Sequence, residues 1–327
     1  MNIEPETFLQ SDPAPSRYKR IWKILLYFVK FGISIFILWM IARKISFASA
    51  LADILKFSPL LIMALIGISI VRNWLQYRNW LCALKINPGY EPDHREVLKS
   101  YLIGLPLRFA IPGGHASIAK IFYISNSSRS ASFWSTMLER SFLTWATWTF
   151  ASGAAVVYFT DFPLVWLLIA MALCIMAPEI LYLTLGLKDK WRPLQKTYSR
   201  QGAWMILIQI ASTLLTYLQY WLLLRCFIPL SFMESSLRMA LVQFSNSIPI
   251  TISGLGLRES FAIHFLKDTG ITAEQAVSAT LCLFIIQDVL PAMVGLWFLV
   301  KGKPAGEMKH PMKHAMKHSM KPESGAK

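Results

Sequence analysis

The sequence of 327 residues predicts an all-α, polytopic helical membrane protein, and three observations support this fold class. Hydrophobic residues make up 55% of the chain and charged residues only 16%, whereas a soluble domain carries roughly 25% charged residues. The apolar residues form long runs without a polar face, and the runs Ser141–Thr160 and Gln201–Leu224 contain no charged residue. Each run reaches the roughly 20 residues that a helix needs to cross about 30 Å of hydrocarbon.

Six segments are long and apolar enough to be predicted as full crossings. They are Ile21–Ala42, Pro59–Trp80, Phe133–Phe159, Pro163–Leu187, Ala203–Phe227 and Glu274–Val300. We expect residues 21–300 to form a single transmembrane domain with halves of about 21–160 and 163–300. Residues 1–20 lack the features of a cleaved secretory signal and are predicted to be a cytoplasmic tail. Residues 301–327 are predicted to be a disordered basic tail.

Lysine and arginine in short loops predict the orientation, because cytoplasmic loops carry an excess of both. The segment "KDKWRPLQKTYSR" has five basic residues, whereas the turns near Asp161 and at "CFIPLSFME" have none. This bias predicts a multi-pass membrane protein with both termini in the cytoplasm. The Met-Lys-His repeats of the C-terminal tail are expected to contact anionic lipids. Methionine and imidazole also suit copper or nickel, but the intervening lysines oppose cation binding.

Two further apolar stretches, Ser100–Lys120 and Leu241–Glu259, are interrupted by proline and glycine, which disfavour a continuous helix. The helix breaks are expected at Pro112, Gly113, Gly114, Pro249, Gly254 and Gly256. In the six-crossing topology the two stretches are re-entrant and inverted relative to each other, the arrangement that marks a transporter's substrate site. The alternative is a bundle of eight crossings with two kinked helices.

Charged residues inside apolar segments are costly and their default interpretation is functional. The cationic candidates are Arg108, Lys120, Arg140 and Arg258, and the carboxylates expected to hold them in place are Glu139, Glu259 and Asp288. This set predicts an anionic ligand, most naturally a phosphate head group. The alternative is a set of structural ion pairs, which a charge swap between Glu139 and Arg258 would test.

Three other charged or titratable residues are less decisive. Arg72 and Arg78 are expected to extend towards the lipid head groups, and ligand contact is the alternative. His115 is either a proton relay or a hydrogen-bonded structural residue.

Motifs for most enzymes and for cofactors are absent from the sequence. It contains no GxxxxGK[ST], GxGxxG, HExxH or GxSxG motif, and its four cysteines show no metal-ligand spacing. No cofactor or metal is therefore predicted, and an enzyme is not the favoured interpretation. The net charge of +15 lies beside the spans and in the tail, so membrane lipid rather than nucleic acid is the expected partner.

Two blocks resemble a known family. The segment "NSIPITISGLGLRESFAIHFLKDTG" is similar to the C-terminal signature of the flippase-like membrane domain of bacterial lysylphosphatidylglycerol synthases, also called multiple peptide resistance factors. The matching residues are Ile248, Pro249, Gly254, Gly256, Arg258, Glu259 and Gly270. In the N-terminal half, Pro112, Gly113, Gly114, Lys120, Glu139 and Arg140 correspond to a second block. His115 stands where the family commonly has an acidic residue, and Lys120 where it has arginine.

The resemblance extends over approximately Ile21 to Val300. It implies a transporter or flippase of the bacterial plasma (inner) membrane that moves an anionic lipid or a polyprenyl-phosphate-linked substrate between leaflets. The chain has no aminoacyl-transferase domain, so lysine transfer is not implied. A membrane-embedded transferase or accessory subunit of a lipid or glycan pathway is the alternative function, and a scaffold is the third. Lipid identity, energy coupling and the existence of a homo-oligomer are left open by the sequence.

Overall fold

The computed structural model of the protein describes residue 52 and residues 55–88, 90–109, 112–125, 129–187, 189–248 and 254–301. Within these ranges the chain forms helices and no β-strand, which confirms the all-α prediction. The predicted crossing Ile21–Ala42, both predicted tails and Pro249 lie outside the described residues.

Nine α-helices follow one another along the described chain. They are α1 (Pro59–Lys85), α2 (His94–Leu107), α3 (Arg129–Tyr158), α4 (Leu164–Gly186), α5 (Arg192–Leu224), α6 (Phe232–Phe244), α7 (Leu257–Leu266), α8 (Ala273–Phe284) and α9 (Leu290–Lys301). A 3₁₀ helix, Pro112–Tyr123, separates α2 from α3, and shorter ones lie at Asp189–Trp191, Ser245–Ser247 and Lys267–Thr269. The π-helical turn Ile285–Val289 joins α8 to α9.

Four helices of the described chain are long and apolar enough to cross a membrane: α1, α4, α5 and the continuous stretch Ala273–Lys301. All four coincide with predicted crossings. Another predicted crossing, Phe133–Phe159, falls on α3. This helix has 30 residues but does not meet the same combination of length and apolarity.

The predicted start of the crossing Ala203–Phe227 was wrong by more than two turns, because α5 begins at Arg192. The basic segment that precedes Ala203 contains lysine, arginine, glutamine and leucine, which are good helix formers, and Pro193 stands in its first turn, where proline is tolerated. The helix therefore continues beyond the apolar run on which the prediction was based.

Side-chain caps fix where several helices begin. The Ser58 hydroxyl accepts a hydrogen bond from the Leu61 amide at 3.2 Å, and Pro59 occupies the first helical position of α1. At the start of α8, Thr272 and Gln275 exchange side-chain to backbone hydrogen bonds of 3.3 and 3.0 Å. Such caps satisfy amide groups that have no partner inside the helix.

The centre of the bundle is the packing of α1 against α5. Gln76 and Gln209, both buried, exchange two side-chain hydrogen bonds of 3.1 and 3.3 Å. Gln219 reaches from α5 to the carbonyl oxygen of Leu65 at 2.7 Å. Amide side chains in apolar surroundings must be hydrogen-bonded, so these contacts fix the register of the two helices.

Two segments fold back on themselves beside this pair. In the first fold-back segment, residues 94–123, α2 packs on the following 3₁₀ helix, and the Ser100 hydroxyl donates to the carbonyl oxygen of Lys120 at 3.0 Å. In the second fold-back segment, residues 232–266, α6 packs on α7, and Arg238 donates to the carbonyl oxygen of Phe265 at 2.7 Å. The described interruptions therefore lie between two packed helices in each segment: Pro112, Gly113 and Gly114 in the first, and Gly254 and Gly256 in the second.

Each fold-back segment packs against the last helix of the other half of the chain. α2 lies against α9, and α6 lies against α3. The α2–α9 approach depends on Gly295, where a Cβ atom would lie 2.1 Å from the carbonyl oxygen of Leu102 and 2.6 Å from Cδ of Pro106. Close approach of two helix backbones at a glycine is typical of helix packing in membranes.

The helix α4 presents apolar side chains outwards and has no buried residue. Trp166 is 68% exposed and Leu183 is 57% exposed. A broad apolar surface of this kind, interrupted by the exposed Glu179, is suited to lipid rather than to water.

We predict that Gly295→Val destabilises the protein by about 2 kcal/mol, because the new side chain would overlap the backbone of α2. The measurement is thermal unfolding of the purified protein in detergent. Gly153→Val in α3 is the matched control, since a Cβ atom at Gly153 meets nothing within 4 Å. Equal losses for the two variants would contradict the close α2–α9 contact.

Candidate functional site

A polar cavity of about 460 Å³ lies between the two fold-back segments. Its walls come from α1, α3, α5, both fold-back segments and the π-helical turn. Volumes of roughly 300–1,000 Å³ are usual for small-molecule sites.

Five cationic side chains and two carboxylates line the cavity. The cations are Arg72, Arg108, Lys120, Arg140 and Arg258, and the carboxylates are Glu139 and Asp288. The structure thus brings six of the seven predicted charged residues to one cavity. Glu259, the seventh, is buried against Arg258 and does not line the wall. With all three carboxylates counted, positive charge remains in excess.

Lys120 is held by contacts from three elements. Its ammonium group pairs with Glu139 of α3 and lies 3.8 Å from the centre of the Trp80 ring. A Cβ atom at Gly104 would lie 3.1 Å from Cδ of Lys120, so this glycine leaves room for the lysine stem. The lysine is 5% exposed, and its charge is balanced by the carboxylate and the aromatic face.

Arg140 follows Glu139 on α3 but faces a different partner. Its guanidinium donates to the hydroxyl of Ser117, which belongs to the first fold-back segment. Two adjacent residues of α3 therefore fasten the 3₁₀ helix to it, one through an ion pair and one through a hydroxyl.

The second fold-back segment positions Arg258 through a tight turn. Gly254 and Gly256 have φ angles of +78° and +85°, a region that favours glycine. Glu259 then accepts a hydrogen bond from the Gly256 amide at 2.6 Å and pairs with Arg258 at 3.3 Å. One carboxylate thus caps the start of α7 and balances a cation that is 4% exposed.

Asp288 connects the two fold-back segments. Its carboxylate lies 3.6 Å from Arg108 of the first and 4.0 Å from Arg258 of the second. The residue sits in the π-helical turn, a feature that occurs frequently at functional sites. No ion pair joins Glu139 to Arg258 in the described chain, so the charge swap suggested by the sequence does not match an observed pair; Glu139 pairs with Lys120 instead.

Arg72 was expected to extend to the head groups, with ligand contact as the alternative. It lines the cavity from α1, its Nε atom is buried without a hydrogen-bond partner, and no ion pair joins it to another described residue. The expectation that Arg72 extends to the head groups was therefore wrong, because its position on α1 faces the bundle. Arg78 is exposed, with its guanidinium 5.5 Å from the centre of the Trp74 ring.

Much of the remaining cavity wall is uncharged but polar, with hydroxyl and amide side chains from several helices, and Leu143 and Ile248 add apolar contacts. Sequence reasoning also missed this wall, because single threonines and glutamines inside apolar runs look like ordinary helix residues. Its members are Gln76, Thr144, Thr147, Ser212, Thr213, Thr216, Gln243, Asn246, Ser247 and Gln287.

The predicted helix breaks have different structural positions. Pro112, Gly113 and Gly114 open the 3₁₀ helix that follows α2, whereas Gly254 and Gly256 form the turn before α7. The structure describes the backbone of His115 but not its side chain, so the proton-relay role stays a prediction. The part of the chain that the structure describes holds no group of three His, Cys, Asp or Glu side chains suited to a metal ion.

One comparison with known proteins bears on this site. The family model for the lysylphosphatidylglycerol synthase TM region matches residues 27–295, and no curated protein matches the chain. The match covers both fold-back segments and every charged residue of the cavity, and it indicates a membrane protein with a lipid-related function. The chain therefore belongs to the family of the lysylphosphatidylglycerol synthase TM region.

Proposed function

We propose that this protein moves an anionic lipid, or a lipid-linked phosphate, between the leaflets of a bacterial plasma membrane. The observation that carries the proposal is the cationic cavity between the two fold-back segments. A bare excess of positive charge inside a membrane bundle is costly, and a phosphate group would relieve it. Arginine is well suited to the ligand, because its planar guanidinium matches the oxygens of a phosphate.

In this proposal the head group occupies the cavity while the acyl or prenyl chains remain in the lipid. Arg72, Arg108, Arg140 and Arg258 would contact the phosphate, and Lys120 with Glu139 would hold the wall in place. The broad apolar surface of the helices is compatible with lipid contact along the whole path.

An inverted repeat would supply the alternate exposure of the cavity. We match α1 with α5, the first fold-back segment with the second, and α3 with the stretch Ala273–Lys301. α4, at the start of the second half, crosses the membrane before α5 and so reverses the direction of the elements that follow it. Two observations support this match: the packing of α2 on α9 and of α6 on α3, and the reciprocal hydrogen bonds between Gln76 and Gln209.

The glutamine pair has the property expected at a pseudo-two-fold axis. Gln76 and Gln209 are each the eighteenth residue of their helix, and each donates to the other. Equivalent residues on an axis contact each other in this reciprocal way. Rocking of two such halves about a fixed central site is the motion used by many transporters with inverted repeats.

Orientation in the membrane follows from the basic residues between α4 and α5, which we place in the cytoplasm with both termini. We propose that the C-terminal Met-Lys-His tail contacts anionic lipids of the same leaflet, where each lysine contributes about 1 kcal/mol near the surface.

Liposomes reconstituted with the protein and a trace of acyl-labelled phospholipid test the proposal. The fraction of label that a membrane-impermeant quencher reaches gives the rate of movement between leaflets. Movement of anionic lipid above protein-free vesicles is expected. Formation of a modified lipid without movement would favour the membrane-embedded transferase. If neither movement nor a modified lipid is detected, the scaffold is favoured.

We predict that Arg72→Gln lowers the rate of lipid movement at least about tenfold. A hydrogen bond to a charged group contributes about 1.5–3 kcal/mol, and 1.4 kcal/mol corresponds to a factor of ten. Arg72 has no ion-pair partner among the described residues, so its removal leaves no carboxylate unpaired. Arg78→Gln on the same helix is the control, since Arg78 is exposed outside the cavity. Equal effects of the two substitutions would exclude the cavity as the path.

We predict that Asp288→Asn strengthens anion binding and slows lipid movement. The substitution removes the charge that Arg108 and Arg258 share, so both guanidinium groups become available to a phosphate that is then released less readily. An apparent affinity increase of severalfold, with a lower maximal rate, is expected from the dependence of movement on lipid fraction. A lower affinity would mean that Asp288 itself contacts the ligand favourably.

A further inference from the structure

The carboxylate of Asp288 is held more loosely than the other acidic groups at the cavity. It lies 3.6 Å from Arg108 and 4.0 Å from Arg258, and both distances exceed the roughly 2.7–3.2 Å of a hydrogen bond. Among the described residues it forms these two ion pairs and accepts no hydrogen bond. Its side chain is 19% exposed and lines the cavity, so water can reach it.

Glu139 and Glu259 are committed to closer contacts. Glu139 forms a hydrogen-bonded ion pair with Lys120. Glu259 caps the start of α7 through the Gly256 amide, and its side chain is only 2% exposed. A change in the charge of either carboxylate would weaken a hydrogen bond that holds a fold-back segment. Asp288 is therefore the one of these three carboxylates whose charge can change without the loss of a hydrogen bond to the described chain.

The charged and titratable groups that face Asp288 are arginines and phenols, which are positive or neutral at neutral pH. They are Arg72 of α1, Tyr101 of α2 and Arg108 after it, Tyr220 of α5 and Arg258 of α7. A phosphate bound to these arginines would cancel part of their charge and place a negative charge next to the carboxylate. Like charges in close contact favour uptake of a proton. Anion binding and protonation of Asp288 therefore reinforce each other, and this coupling is reciprocal.

The charge of the cavity also favours a proton as the companion of the lipid. Five cations and three carboxylates leave two positive charges. A phosphodiester brings one negative charge, and one proton on Asp288 compensates for it. The loaded protein then has the same net charge as the unloaded one, so the movements in the two directions meet the same cost of charge in the hydrocarbon region.

We propose that each phosphate-bearing head group crosses together with one proton carried on the Asp288 carboxylate. The inference rests on the proposed function, since it names the ion that accompanies the lipid through the same cavity. The proton comes from water on one side and forms an O–H bond on Asp288 when the phosphate engages Arg108 and Arg258. It returns to water on the other side, no bond of the lipid breaks, and the proton gradient drives the movement.

Liposomes of phosphatidylcholine with a trace of acyl-labelled phosphatidylglycerol test the coupling. A pH difference is imposed across the membrane while potassium and valinomycin hold the membrane potential at zero. We expect the label to accumulate in the leaflet that faces the alkaline side, up to about tenfold for each pH unit, because one-to-one coupling transmits the whole gradient. Collapse of the pH difference with nigericin should abolish the accumulation. Label that moves but reaches equal amounts in both leaflets would overturn the inference and leave the proposed function intact.

The matched variant is Asp288→Asn, which has no titratable group at this position. Lipid that moves through this variant carries its negative charge without compensation. We expect its label to ignore the pH difference and to accumulate under a potassium diffusion potential, in the leaflet on the positive side. The wild-type protein should respond to the pH difference and not to the potential. Accumulation driven by the pH difference in Asp288→Asn would contradict the role of this carboxylate.

Two further variants separate proton transfer from other effects of the substitution. Asp288→Glu keeps a carboxyl group and should retain the accumulation driven by the pH difference. Glu179→Gln removes a carboxyl group from the exposed surface of α4 and should behave like the wild-type protein. Loss of accumulation in Glu179→Gln would place the proton outside the cavity and overturn the inference.

Proton uptake on ligand binding separates failure of this inference from failure of the proposed function. Dimethyl phosphate, a phosphodiester whose charge is constant near neutral pH, is added to the detergent-solubilised protein in weak buffer with a pH indicator. Uptake of about one proton for each protein, absent in Asp288→Asn, would support the inference even if no lipid moved in liposomes. No uptake by the wild-type protein, at a concentration of dimethyl phosphate that raises its thermal stability, would overturn it.

Discussion

Burial of opposite charges in a low-dielectric bundle is the constraint on which the site depends, and at Asp288 this constraint joins the two fold-back segments. Its carboxylate is the common partner of Arg108 and Arg258, which belong to different fold-back segments. An arginine inside a membrane protein is tolerated only where a counter-charge or water meets it. Because one carboxylate serves both arginines, the positions of the two segments are coupled. The π-helical turn that carries Asp288 gives this part of the helix a backbone distinct from its α-helical neighbours on both sides.

The second constraint is the amide network between α1 and α5, which keeps the two halves in register without any charge. Gln76 and Gln209 satisfy each other, and Gln219 links α5 to the π-helical turn through a 2.6 Å hydrogen bond from Gln287. The Ser69 hydroxyl donates to the Ile286 carbonyl oxygen at 3.2 Å and brings α1 to the same turn. The network therefore joins the central helix pair to the residues next to Asp288, so that the packing of the bundle and the charges of the cavity meet at one place.

The sequence was sufficient for the fold class and for most charges of the cavity, for a physical reason. A lysine, arginine or carboxylate inside an apolar run is expensive, and Lys120, Glu139 and Asp288 were visible on that ground alone. Arg72 was assigned to the head groups because it lies near the end of a predicted crossing, and only the three-dimensional structure shows which side of α1 faces the bundle. The ion-pair partners could not be predicted from the sequence either, because Glu139 pairs with Lys120, which lies nineteen positions away in the chain. The π-helical turn itself contains no proline or glycine from which it could be predicted.

The segment "GLGLRE" illustrates how local chemistry and distant packing combine. The left-handed conformations of Gly254 and Gly256 follow from the glycine residues themselves, and Glu259 stands three residues after Gly256, the spacing at which a carboxylate caps a helix start. The sequence therefore contains the turn and the cap. What places Arg258 in the cavity is external to the segment: the guanidinium lies 5.2 Å from the centre of the Phe284 ring and next to Asp288 beyond it. Arg258 is held by its neighbour Glu259 and by Asp288 of another helical segment. It can therefore keep its position when a ligand replaces only one of these two contacts. A site that binds phosphate transiently requires this property.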